Sequence, residues 1–463
     1  MEVYYYFIAI LLLQIYPLKK VLKFEDLNIF DLLMLVYSLY FVLTPIRCIL
    51  ADTIYREESV QKLVESTPAP SIDILFVMIL FWLFDIFFTN VYIYRLRFVY
   101  ITEYIRNLNE QFELPKKSIF YFIGLFIITL IPLVSFSDLT TDDVEGNITI
   151  FYGQDLPLGL RLMFNMIAGT FSCFVILTLK YRISAQDLKW KLLADIAILI
   201  LLSCVLLRGR TNMVNTCALG FLYIYSIRIS PPNLKLILAS ILAFSVVIFL
   251  IFPQYQTFRL TKQYMVMTKI HHSFSDVLHT YLYEDIHDLK DLAEDQARSF
   301  NVYAALLETH TIRYQKTGGG YLLDQLHCAI NPLYTPSPKY ENFVADNLEG
   351  GGDIAESMPT VMNFDIGFKG LFFVPIYYVL YGVLLWLISF LFHRINRRDV
   401  IWMLFIIMFI EHCLRVEGSV AFRTVYNPGV IVIGVFTILA FLFCVKAQNR
   451  IEQELIDEEI ESE

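Results

Sequence analysis

The sequence predicts an all-α polytopic membrane protein with about eleven transmembrane helices, within a range of roughly 10 to 12, and a large, mainly helical extracytoplasmic loop before the last three. Three observations predict it. Of 463 residues, 57% are hydrophobic and 17% charged, with 39 Phe and 29 Tyr, and mean hydropathy is +0.57. A soluble domain of ordinary size would expose too much of that. The apolar residues fall mostly in blocks of about 17 to 27, the length a helix needs to cross about 30 Å of hydrocarbon at ~1.5 Å per residue. One long polar stretch, roughly residues 253 to 365, separates the last three blocks from the rest.

In order, the blocks are about 3–17, 29–49, 72–94, 118–136, 158–179, 192–207, 213–227, 235–252, 366–392, 400–416 and 428–445. Helices are expected because each satisfies its own backbone hydrogen bonds in hydrocarbon. The first block has no basic residue before it and no small-residue cleavage site after it, so it reads as a short span and not as a cleavable signal peptide. The blocks at 192–207 and 213–227 are short and separated by a hinge bearing Gly and Asn. The chain thus divides into helices one to eight (1–252), the large loop (253–365), helices nine to eleven (366–446) and an acidic cytoplasmic tail (447–463).

Orientation follows from the loops that hold Lys and Arg. One alternating set contains Lys19, Lys20 and Lys23, then Arg95, Arg97, Arg106, Lys116 and Lys117, then Lys180, Arg182, Lys189 and Lys191. It continues with Arg228 and Lys235, Arg394, Arg397 and Arg398, and Lys446 and Arg450. The opposite set has few basic residues in its short loops, and 137–157 has none. Placing the first set in the cytoplasm puts the 253–365 loop outside. Arg208 and Arg210, after the sixth block, and Arg415, Glu417 and Arg423, after the tenth, then fall on the outer face with that loop. An arginine at bilayer depth costs about 2.5 to 3.5 kcal/mol at the centre and less toward the surface, which calls for a partner or an anionic ligand.

A loop of this length should hold structure of its own. Residues 254–295 are polar and helix-compatible, and the acids Glu284, Asp285, Asp288, Asp291, Glu294 and Asp295 read first as a solvated helix face. From Arg298 to Tyr314 the pattern turns amphipathic, fit for a helix in the membrane interface. Gly318, Gly319 and Gly320 break it, and Asn331-Pro332 through Pro338 forms a rigid extended turn. The polar run 346–359 carries Gly350, Gly351, Gly352, Asp353 and Glu356. Asn363, Asp365, Gly367 and Gly370 then lead into the ninth helix. A glycine-rich, acidic approach to a membrane helix fits close contact with a polar ligand.

Several function classes are disfavoured. The net charge of −9 comes without a basic patch interleaved with aromatics, which disfavours nucleic-acid binding. The seven cysteines lie mostly inside apolar blocks without CxxC spacing, as small packing residues would. HExxH, GxSxG, Walker A and GxGxxG signatures are missing, as is an Asp-x-Asp that could hold a metal-bound nucleotide sugar. Arginines, a few acids and one or two histidines remain. Guanidinium groups suit phosphate oxygens and could stabilise a departing diphosphate much as a metal would. A sugar hydroxyl attacking it would need a base, for which Asp353, Glu356, His327, Glu417 and His412 are candidates. Simpler readings stand beside these. Glu411 and Arg415 are four apart and can neutralise each other. Arg208 and Arg210 can anchor at headgroups. Arg298, Arg313, Asp353 and Glu356 can be surface residues. Asp85 and Asp195, inside apolar blocks, read as packed, hydrogen-bonded groups.

Three local features resemble the Wzy-type polymerases of O-antigen, enterobacterial common antigen and capsule. Arg208-Gly209-Arg210-Thr211-Asn212 is similar to the short Gly/Arg/Ser-Thr motif those proteins carry between two central helices. Residues 350–370 resemble their segment ending in an Asn, an aromatic and a Gly before a late helix, although Asp365 interrupts that run. Leu414-Arg415-Val416-Glu417-Gly418, with Arg423 beyond, looks like the Arg-Glu-Gly and following Arg near the end of the enterobacterial common antigen polymerase. The resemblance implies a GT-C-like inverting glycosyltransferase in the bacterial inner membrane. It would transfer a growing undecaprenyl-diphosphate-linked glycan onto a hydroxyl of a new lipid-linked repeat unit, with neither nucleotide nor metal and no cofactor.

Site residues under that implication are Asp353, Glu356 and Glu417 as catalytic groups. Arg208, Arg210, Arg298, Arg313, Asn363, Arg415 and Arg423 would hold the diphosphate and glycan. Partners would be lipid-linked oligosaccharides and membrane lipid, with a chain-length regulator as a further candidate. A lipid-linked O-antigen ligase, or another GT-C-like transferase, shares every physical feature except the acceptor. A flippase or other transporter would favour internal repeats and helices broken at the midplane, and the sequence carries no evident repeat.

Overall fold

The computed structural model describes residues 2–38, 69–93, 99–111, 171–207, 210–227, 274–283 and 358–391. It also describes single positions or short pieces at 41, 96, 120, 123–124, 254, 257–258, 261, 318–320, 323, 327 and 410. Among the described residues every regular element is helical: α1 (Glu2–Leu13), α2 (Ile15–Lys23), α3 (Ile29–Ser38), α4 (Ala69–Asn90) and α5 (Ile101–Gln111) come first. They are followed by α6 (Phe171–Ser184), α7 (Leu188–Leu207), α8 (Arg210–Ile227), α9 (Phe274–Tyr283), α10 (Met358–Ile366), a 3-10 turn (Phe368–Phe372) and α11 (Phe373–Leu391). One of these, over Ile72–Asn90, is both long and apolar enough to cross a membrane.

The first block does not end where its apolar run ends. Pro17 has no N–H to give to the preceding turn, so the helix breaks at Gln14 and restarts as α2, with Pro17 in its first turn. Gln14 repairs the junction itself. Its backbone N–H moves to the Leu11 carbonyl at 3.1 Å, and its side-chain amide takes up the Ile10 carbonyl at 3.3 Å. The helix then runs to Lys23 because Lys19, Lys20 and Lys23 are good helix formers at its C-terminal end, where cations favour the dipole. Phe24 closes it in the left-handed region (φ 58), and its ring packs 4.7 Å from that of Tyr225 on α8.

Helix α3 begins on a reciprocal cap. Asn28 Oδ1 accepts the N–H groups of Phe30 (2.9 Å) and Asp31 (3.1 Å), while Asp31 Oδ2 accepts that of Asn28 (2.9 Å). It then packs antiparallel on α4. Phe81, Phe84, Asp85 and Phe88 share one face of α4 at helical spacing, and Phe30 meets the three phenylalanines at 5.4–6.2 Å. Further along, Tyr37 lies edge-on to Phe81 and its hydroxyl is 2.7 Å from that of Tyr378 on α11, which ties residues 341 positions apart. Phe76, nearer the start of α4, meets Phe368 and Phe372, both at 4.9 Å.

The outward faces of several helices are apolar too. On α1 Tyr5, Ile8 and Leu12 are exposed, on α4 Ile79, Leu83 and Phe87, and on α7 Leu188, Leu192, Ile196 and Leu199. Each set recurs at three- or four-residue spacing, so each helix presents a continuous apolar stripe away from the protein.

Helix α5 is different in kind, a short polar helix that gathers its neighbours. Arg106 donates to Asp26 at 2.5 Å and to the Ser226 carbonyl at 3.0 Å. Thr102 Oγ1 accepts the Leu27 N–H at 2.8 Å. Asn109 takes the Lys180 ammonium on its carbonyl (2.7 Å) and side-chain oxygen (3.0 Å), together with the Tyr223 hydroxyl (2.6 Å). Tyr225 donates to the Glu25 carbonyl at 2.7 Å. The segment between α2 and α3, the end of α6 and the end of α8 are thereby bound into one polar layer.

Candidate functional site

Most of the residues that the sequence nominates lie outside the described residues: Asp353, Glu356 and Glu417, and with them Arg208, Arg298, Arg313, Arg415 and Arg423. Two have a described backbone. Arg210 is the first residue of α8, and Asn363 lies in α10. Helix dipoles favour anions at their N-terminal ends by about 0.3–1 kcal/mol, so an arginine there adds positive charge to an already positive end.

Around Asn363 the structure joins two segments that the sequence treats separately. Gly318 and Gly319 turn back on themselves with φ of 68° and 92°, values open to glycine and strained for most other residues. That turn seats on Asp365, two residues beyond Asn363. The Asp365 carbonyl accepts the N–H of Gly318 at 2.8 Å and of Gly319 at 3.3 Å, and its carboxylate Oδ1 accepts that of Gly319 at 2.9 Å. Asp365 is fully buried. The aspartate that breaks the expected Asn-aromatic-Gly run therefore holds the glycine turn of the large loop against α10. These two amides are engaged by protein, so this turn does not present them as an anion-binding nest.

Just beyond, Gly367 (φ 88) ends α10 and Gly370 packs under it. A Cβ on Gly370 would stand 2.2 Å from the Met362 carbonyl oxygen, so only glycine lets the 3-10 turn fold back this closely. His327, a candidate base, is exposed.

A second constellation was only partly visible in the sequence. Lys20 is buried, and its ammonium lies 2.8 and 2.9 Å from the two oxygens of Asp85 and 3.0 Å from Asp31. Both aspartates are fully buried. Asp85 also accepts from Asn28 Nδ2 and, at 3.3 Å, from Thr89 Oγ1. Lys20 stands 4.7 Å from the centre of the Tyr16 ring. Burial alone would drive its ammonium toward the neutral form, but Asp31 and Asp85 outweigh that and hold its pKa above the ordinary lysine value. Asp85 is thus packed and hydrogen-bonded, whereas Asp195 pairs with Arg182 at 3.1 Å in a half-exposed setting. The signal for Asp31 was a charge inside an apolar block, three residues after an asparagine.

Among the described residues no group of three or more His, Cys, Asp or Glu side chains is arranged to hold a metal ion. Comparison of the chain with protein-family models, curated proteins and solved structures returns no match.

Proposed function

We propose that this chain is a membrane-embedded polymerase of surface polysaccharide with about eleven transmembrane helices, roughly 10 to 12, its large loop and its site facing outward. It transfers a growing undecaprenyl-diphosphate-linked glycan onto a hydroxyl of a new lipid-linked repeat unit. The arginines hold the diphosphate as it leaves, one of Asp353, Glu356 and Glu417 takes the hydroxyl proton, and apolar helix faces accept the polyprenyl tail.

The observation that carries this reading is the seating of the Gly318–Gly319 turn on Asp365, which brings the large loop to the segment bearing Asn363. That segment is one of the three on which the polymerase resemblance rests. Two further observations support a membrane setting. The apolar stripes of α1, α4 and α7 suit hydrocarbon and would be poorly tolerated in water. The loops that charge assigns to the cytoplasm, carrying Lys20, Arg106 and Lys180, meet in one polar layer around α5. Phe76, at the opposite end of α4, meets the 3-10 turn that follows the large loop.

The test is incubation of the purified protein in detergent with lipid-linked repeat units in the presence of EDTA. A product ladder is expected, and it should be lost in Arg210→Ala and Arg415→Ala proteins that still insert and purify normally. Full-length ladders from both variants would remove the assignment.

A further inference from the structure

Among the described residues, the Lys20 cluster carries one more acid than it has cations. Two fully buried carboxylates, Asp31 and Asp85, face a single ammonium, and among the described residues no second cation bonds either of them. Among the described residues, Lys20 from α2 and Asp85 from α4 stand against Asp31, and Tyr16 from α2 and Tyr225 from α8 are near enough to feel its charge. Arg106 of α5 is taken up by Asp26. An unbalanced charge in a low-dielectric setting is costly, and two carboxylates that share a site resist both being ionised.

The hydrogen bonds distinguish the two acids. Asp85 receives four contacts from donors: two from Lys20, one from Asn28 and one from Thr89. That is the setting of an ionised carboxylate, which only accepts. Asp31 is satisfied on one side alone. Its Oδ2 accepts from the Asn28 N–H and from Lys20, but its buried Oδ1 makes no hydrogen bond, although it too lies 3.0 Å from the ammonium. Lys20 is held in its charged form by its neighbours, so the lysine does not relieve the imbalance.

We infer that the cluster is a proton-binding site: Asp31 takes one proton from water onto Oδ1 at neutral pH, leaving lysinium, the Asp85 carboxylate and a neutral acid with no net charge. Oδ2 of the neutral acid still accepts from Asn28 and Lys20, so the α3 cap and the tie to α2 survive protonation. Release of the proton sets Asp31 against Asp85 across one ammonium and loosens α2 and α3 from α4. The inference stands on this geometry and is independent of the polymerase reading.

Infrared spectroscopy of the full-length protein in detergent tests it through the C=O stretch of a protonated, buried carboxylic acid. At neutral pH the wild type should show a band that is missing in Asp31→Asn and retained in Asp195→Asn. Asparagine mimics the neutral acid in shape, so Asp31→Asn should fold normally. The sign of the stability effect follows from linkage. The folded state keeps a proton that the unfolded chain has released, so stability falls as pH rises. The unfolding equilibrium of the wild type should shift by about tenfold per pH unit toward the unfolded form until the proton is lost, and that of Asp31→Asn should lack this slope. A neutral-pH band unchanged in Asp31→Asn, no such band in the wild type, or failure of Asp31→Asn to fold would each overturn the proposal.

Discussion

The two ends of α4 are held by different means. Near Asp85 the packing is fixed by side-chain charge: Lys20, Asp31, Asn28 and Thr89 form a closed set around it, and the polar helix α5 binds the neighbouring segments. Near Phe76 it is fixed by backbone approach: the 3-10 turn folds under α10 at Gly370, and the glycine turn of the large loop hangs on Asp365. The difference teaches where a substrate could act. At the charged end, cations and acids answer each other internally, and what remains is a proton. At the glycine end, the amides of Gly318 and Gly319 are occupied and close approach is already achieved, so any anion bound there would have to be met by side chains.

The largest expected effect breaks the charged end. Lys20→Met takes the ammonium away from the buried Asp85 carboxylate and its neighbour Asp31, and removing one partner of a buried ion pair costs about 3–5 kcal/mol. The variant should fail to give monodisperse protein in detergent or unfold at a markedly lower temperature, and combining it with Asp31→Asn and Asp85→Asn should restore much of the loss. Normal stability of the single variant would show that the charge set does not hold α2 and α3 to α4.

The glycine end is broken more gently. In Gly370→Ala the new methyl group meets the Met362 carbonyl, backbone that cannot swing aside, and overpacking of this kind costs about 1–3 kcal/mol. Gly319→Ala meets no neighbour, so its cost is conformational only, roughly 1–2 kcal/mol for a non-glycine residue in the left-handed region. Thermal unfolding should therefore rank Gly370→Ala below Gly319→Ala. Limited proteolysis should show the large loop cut faster in Gly319→Ala than in wild type. The reverse ranking would mean that the loop's seating on Asp365, and not the fold of the 3-10 turn, governs this end.

How much of this was legible follows the same division. The long apolar blocks anticipated α3, α4, α7, α8 and α11, and the spacing Asn28-x-x-Asp31 is a cap that a sequence can reveal. That Asp85 needs a partner follows from its place in an apolar block, but not that the partner is Lys20, 65 residues away and counted among loop cations. Helix α7 begins at Leu188, ahead of its apolar block, because Lys189 and Lys191 are good helix formers and their stems extend the helix. The seating of Gly318 and Gly319 on Asp365 was not legible at all, because backbone amides carry no residue identity and 46 residues separate the groups. Asp365 looked like a flaw in a motif, and its burial gives it a purpose.

The smallest expected effect sharpens the contrast between buried and exposed charge. Arg182 and Asp195 also pair across two helices, at 3.1 Å, yet their side chains are 41% and 47% exposed. Water screens such a pair and the long arginine side chain loses freedom in forming it, so it should contribute about 0–1 kcal/mol. Arg182→Ala should accordingly shift the unfolding temperature little, and added salt should erase the difference from wild type. Lys20→Met should remain equally destabilised at any salt concentration, because its partners are out of reach of solvent ions. A salt-sensitive Lys20→Met would mean that the cluster is wet, and the reason for assigning it a bound proton would go with it.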